Sequence, residues 1–165
     1  MKERIGSRRR SVRILVPSLF LAVLVLSPVI ALSGEDGPPK DFRSWVHSKS
    51  TVVADKANPL HGFHNQYVNK TALATLKKGS EYRDGAIFVD SVNAVEEKNG
   101  IYFPGAKAKV LVMKKSGKAK STGGWVFQAF DPAGKPLKID PVKDCFECHM
   151  NGAKESGFVF HKYTE

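Results

Sequence analysis

Within "DCFECHM" the only two cysteines of this 165-residue chain, Cys145 and Cys148, stand three apart, and His149 follows directly. Residues at i, i+3 and i+4 of a helical turn share one face, so two thiols and an imidazole can converge on one group. C-x-x-C-H is the spacing of c-type haem attachment: each thiol forms a thioether with a haem vinyl group, and the histidine ligates the iron. Three other chemistries use the same residue types. A zinc site needs a fourth ligand from His47, His61, His64 or His161, none of which has finger-like spacing. A redox C-x-x-C pair expects a thioredoxin-like βαβ context, which the pattern lacks. A local disulfide is the simplest use of two nearby cysteines. Haem c, one per chain, is preferred because it consumes both cysteines and suits an exported protein.

Export is read from the N-terminus. Residues 1–13 carry six basic side chains against one acidic, an apolar stretch runs from Ile14 to Leu32, and small residues follow. This charged, apolar, small-residue order is that of a secretory signal peptide, expected over 1–33. About twenty apolar residues could alternatively anchor the chain in a membrane. Either way the expected location is periplasmic or exported. The formal charge of the whole chain is +10, but without residues 1–33 twenty basic side chains face fifteen acidic ones, a net +5. That charge is weak evidence for nucleic acid, which is not expected as a partner because no recognised binding motif accompanies the charge and the export signal argues against it. A redox protein partner fits a moderate positive field.

The elements that must position the motif lie ahead of it. Residues 34–40 form a Gly/Pro linker, and 41–165 read as a single domain. Phe42, Trp45 and Val46 at helical spacing predict a short helix, and "GFHNQYV" predicts an extended segment. In "NKTALATLKKG" a helix is expected from its N-cap Asn69 to its stop Gly79. Asn99-Gly100 between β-branched runs predicts a hairpin. A second strand pair is expected around the lysine-rich loop before Trp125, with Trp125, Phe127 and Ala129 on one face. The motif itself reads as a short helix. The expected class is α+β: an antiparallel sheet with short flanking helices and a C-terminal attachment helix.

The motif's late position argues against the usual methionine-ligated carrier, since only residues 150–165 follow it. "EYRDGAIFVDSV", "GGWVFQAF", "CFECHM" and "GFVFHKY" together resemble the cytochrome P-460 family, which includes hydroxylamine-oxidising enzymes and the gas-binding cytochromes c-prime-beta. The resemblance spans most of residues 41–163. It implies a β-rich haem domain, a homodimer and a five-coordinate iron with an open distal face. In cross-linked members a lysine occupies the fifth position after the "RDG" glycine; here that residue is Asp90. Those members also use a distal glutamate, whereas this chain has no acid between Glu97 and Asp131. The implied branch is therefore the one without a cross-link.

Candidate distal residues follow. Phe88 shares a strand face with Asp90 and could cap the iron, with Phe63 as the other half of the cap. Trp125 is expected to wall the haem. Asp90 and His64 are the candidates for catalysis, by proton exchange or a hydrogen bond to the ligand, and His64 or Met113 could serve as a sixth ligand. The expected function is a periplasmic mono-haem cytochrome binding NO, CO or nitrogen oxides. The alternatives are an enzyme oxidising hydroxylamine or NO, and an electron-transfer cytochrome c.

Overall fold

The computed structural model describes residues 37–79, 81–160 and 162–163; the expected export segment lies outside them. Five antiparallel strands form one sheet in sequence order: β1 (Val46–Val53), β2 (Gly62–Val68), β3 (Ile87–Lys98), β4 (Ile101–Lys115) and β5 (Trp125–Phe130). Two helices accompany it, α1 (Lys70–Lys78) between β2 and β3, and α2 (Glu147–Ala153) after β5. The architecture is α+β, as the patterning implied.

Local chemistry explains the boundaries. The Asn69 side chain accepts from the Ala72 N–H at the start of α1, and Gly79, with φ of +65°, ends it. Asn99 and Gly100 both take positive φ, 54° and 76°, and join Lys98 directly to Ile101 in register, the two-residue turn that suits twisted strands. The short helix expected from Phe42 forms only as a single 3-10 turn, Phe42–Ser44, and stops before Trp45, where the chain passes into β1. β1 pairs with β2 from Val46 to Val53, with a register shift between His47 and Lys49. The two expected strand pairs also share a strand: "IYF" and "KVLVMKK" both belong to β4. Pro104 is tolerated there because β5 pairs only with Val110–Lys115, so the proline sits on an open edge.

Alternation gives the sheet two faces. One buries Val89, Val110, Val112 and Phe130 beneath Phe42. The other carries Phe88, Met113, Trp125 and Phe127, packed with α1 and with Phe146 and Val159 of the C-terminal segment. That second face, with the C-terminal segment as its cover, encloses the cavity described next.

Candidate functional site

The cover starts with a well-tied turn. Asp140 caps it through Oδ1, accepting from the Val142 and Lys143 N–H groups at 3.0 and 3.2 Å, and Pro141 takes the first helical position. The Glu147 N–H donates five residues back, to the Val142 carbonyl, so a π-type turn precedes α2. Cys145, Cys148 and His149 all border the cavity. Phe146 points away from it and packs between Phe127 and Phe158, at 6.5 and 5.3 Å between ring centroids. Gly123 makes that seat possible: a Cβ there would stand 2.9 Å from both the Phe146 and Phe158 rings.

His149 is fixed from behind. Its Nδ1 donates to the Phe158 carbonyl at 2.7 Å, which leaves Nε2 unprotonated on a ring that borders the cavity. Burial holds this imidazole below its ordinary pKa, against the opposing pull of the Phe158 carbonyl, so it is a neutral ligand-ready base. The ring lies between Phe127 and Phe160, with centroids 5.1 and 4.9 Å away. Phe158 presents its carbonyl from a left-handed conformation, φ of +68°, which costs a bulky residue about 1–3 kcal/mol. Two contacts hold the turn in place: the Phe158 N–H donates to the Ala153 carbonyl at 2.8 Å, and Trp125 Nε1 donates to the Gly157 carbonyl at 3.2 Å.

The cavity measures about 370 Å³ and is walled by apolar side chains including Phe88, Leu111, Met113, Phe127 and Val159. Both thiols are free. Burial, with Asp144, Asp140 and Cys148 adding to it, pushes the Cys145 thiol up to about 11. A largely apolar chamber, two unpaired thiols on one helical face and an imidazole nitrogen held by a backbone carbonyl form a donor set suited to an iron porphyrin. The residues fit the group their spacing announced.

Comparison with known proteins bears this out at the level of family. The sequence model of Cytochrome P460 matches residues 39–161, more than half of the chain. The chain belongs to the cytochrome P460 family. No curated relative matches it. Membership makes the protein a haem-binding cytochrome.

Within this P460 domain the sheet wall carries one polar pair. His64 Nδ1 stands 2.7 Å from Asp90 Oδ2, and His64 Nε2 stands 2.7 Å from the Leu60 carbonyl. Both ring nitrogens face acceptors, so the arrangement suits a doubly protonated imidazolium donating twice. Burial lowers the His64 pKa, but the Asp90 hydrogen bond and charge, helped by the Leu60 carbonyl, more than offset it; Lys109 opposes weakly, and the net shift is upward. A raised folded-state pKa stabilises the fold fully below the ordinary value of 6.5, and the contribution disappears as pH rises through the folded-state value. The denaturant midpoint of the wild type should therefore decline as pH rises above the ordinary histidine value of 6.5. His64→Gln, which retains a donor but does not titrate, should flatten that decline. Parallel pH profiles for the two proteins would contradict the assignment.

The P460 cavity does not take every residue the sequence proposed. His64, Phe88 and Asp90 border it, as do the motif residues and Met113. Phe63 does not: it precedes His64 on β2, so alternation turns it to the opposite face, paired with Asn93 and Val52. Trp125 shares the face of Phe127 but is fully buried behind the cavity, against Tyr82 and Phe88, and acts on the site through Gly157. Lys49 and Gln66 at the cavity wall and the Leu60 carbonyl were not anticipated; only the register of β1 and β2 brings them there. Among the described residues no three His, Cys, Asp or Glu side chains gather as metal ligands, and His161, one of the residues considered for zinc, lies outside them.

Proposed function

We propose that this P460 cytochrome carries one haem c, attached through Cys145 and Cys148 and ligated by His149, and that it binds small nitrogen-oxide or diatomic ligands at an otherwise five-coordinate iron. The observation that carries the reading is the contrast between the two ring nitrogens of His149 and those of His64. His149 keeps Nε2 unprotonated beside the thiols, whereas both His64 nitrogens are committed to Asp90 and Leu60. His64 is thus a poor sixth ligand, which speaks against the electron-carrier alternative. The haem would supply the ligand-binding iron. The chain's own residues would orient it, exclude water and set hydrogen bonding on its open side. Covalent attachment of this kind belongs to exported proteins, in keeping with the basic-apolar N-terminus.

The experiment is mass spectrometry and visible spectroscopy of the purified protein. One haem mass retained under denaturing conditions, a pentacoordinate high-spin ferrous spectrum, and a Soret shift on adding NO or CO are expected. A six-coordinate low-spin ferrous spectrum would overturn the open-site reading, and absence of retained haem would overturn the attachment.

A further inference from the structure

The cavity wall changes character along the sheet. From β3 to β5 its side chains include Phe88, Leu111, Met113 and Phe127, whereas the β1–β2 side carries Lys49, Thr51 and Gln66. A β-bulge creates that polar side. Val46 pairs with Val68 and His47 with Tyr67, but the next pair is Lys49 with Gln66, which leaves Ser48 as the extra residue. The Ser48 Oγ donates to the Gln66 carbonyl at 3.2 Å and so ties the bulge to β2. Strict alternation from His47 would turn Lys49 and Thr51 away from the cavity; one inserted residue turns both towards it. All three side chains can be reached from the cavity mouth, since Lys49 and Thr51 are exposed and Gln66 is half-buried. Among the described residues the ion pair is His64–Asp90, and no carboxylate of the chain pairs with Lys49. Asp144, the acid that borders the cavity from the cover, turns Oδ2 to the Asp140 N–H at 2.7 Å.

Sheet order separates this polar rim from the thiols. β1 and β5 are opposite edges of the sheet, and the cover packs on β5, with Phe146 and His149 both against Phe127. A haem is lopsided in the same sense. Its vinyl groups, which take the thioethers, occupy one half of the macrocycle, and its propionates occupy the other. We infer that Lys49, with Thr51 and Gln66 beside it, forms the carboxylate-binding end of the cavity and receives a haem propionate. The inference rests on the haem reading above. Lys49 supplies the positive charge, and the Thr51 hydroxyl and Gln66 amide supply uncharged donors. Lys49 is then a cofactor-binding residue, and Ser48 a positioning residue that holds the bulge. A solvent-exposed pair of this kind adds little stability, so its effect is read at the haem. The ammonium offsets a negative charge that otherwise favours ferric over ferrous iron.

Haem mass retained under denaturing conditions tests the haem reading by itself, and its absence would overturn both. On protein that retains haem, the remaining measurements bear on Lys49 alone. Lys49→Met should shift the propionate bending modes in the resonance Raman spectrum and lower the midpoint potential, because the propionate charge is left uncompensated. Lys49→Arg should bring both back towards wild type, since a guanidinium also pairs with a carboxylate. Lys98→Met removes the same charge at the exposed end of β3, away from the cavity, and should move neither. The thermal midpoint of Lys49→Met should stay close to that of the wild type, as expected for an exposed side chain. Propionate modes unaltered in Lys49→Met would overturn the pairing. So would a Lys49→Met variant that keeps its modes and potential but binds azide more weakly in the ferric state, because the rim would then receive small anions from solution.

Discussion

His149→Ala should leave the haem covalently attached yet strip it of its protein nitrogen ligand, and added imidazole should restore the wild-type ferrous spectrum. The expectation follows from the separation of tasks in the motif. Cys145 and Cys148 would hold the macrocycle by thioether bonds that do not depend on His149. The imidazole occupies a slot shaped for it, between Phe127 and Phe160 and against the Phe158 carbonyl. Emptying that slot removes packing as well as ligation, so a destabilisation of about 2–4 kcal/mol is expected by analogy with other large-to-small changes. Imidazole in solution can refill the slot, donate to the same carbonyl and present its other nitrogen to the iron. Recovery of both spectrum and thermal midpoint would therefore accompany one another. An unaltered ferrous spectrum in the alanine variant would mean that His149 is not the axial ligand.

Much of this site could be read from the chain before its geometry was known, and the parts that could not share a physical cause. The spacing of Cys145, Cys148 and His149 is local, and local spacing on one helical turn survives folding almost unchanged. The helix between Asn69 and Gly79 and the Asn99-Gly100 turn were legible for the same reason: capping and positive-φ turns are decided by two or three residues. The helix at Phe42 stops short of Trp45 and Val46, because spacing of three and four residues suits a single turn as well as a longer helix. Pairing of β1 with β2 decided the matter, and pairing is non-local. Phe63 and His64 could not both face the cavity once that segment was a strand, so period two alone would have excluded one of them. The His64–Asp90 pair is the clearest limit. Each residue had been singled out alone, but 26 positions separate them, and only the β2–β3 register makes them partners.

Trp125 shows how far from the cavity the site's rigidity originates, and its substitutions should separate two roles. Trp125→Ala removes the largest fully buried side chain of the core and should cost about 3–5 kcal/mol, read from denaturant or thermal unfolding. Trp125→Phe keeps most of the ring contact with Tyr82 and Phe88 but deletes the indole N–H, leaving the Gly157 carbonyl without its donor. The stability cost should then be only about 1–2 kcal/mol. The consequence at the site should be disproportionate to that cost. Gly157 and Phe158 form a left-handed pair, strained at Phe158, whose carbonyl accepts from His149 Nδ1. When that turn relaxes, the Nδ1–H···O bond lengthens and the ring loses imidazolate character. A less electron-rich ligand stabilises ferric iron less, so the midpoint potential should rise and the ferrous iron–histidine stretching frequency should fall. A phenylalanine variant that is less stable but unchanged in both readouts would reduce Trp125 to packing alone. A shift in both, at small cost in stability, would establish a chain of contacts from the buried indole through a strained turn to the nitrogen that faces the iron.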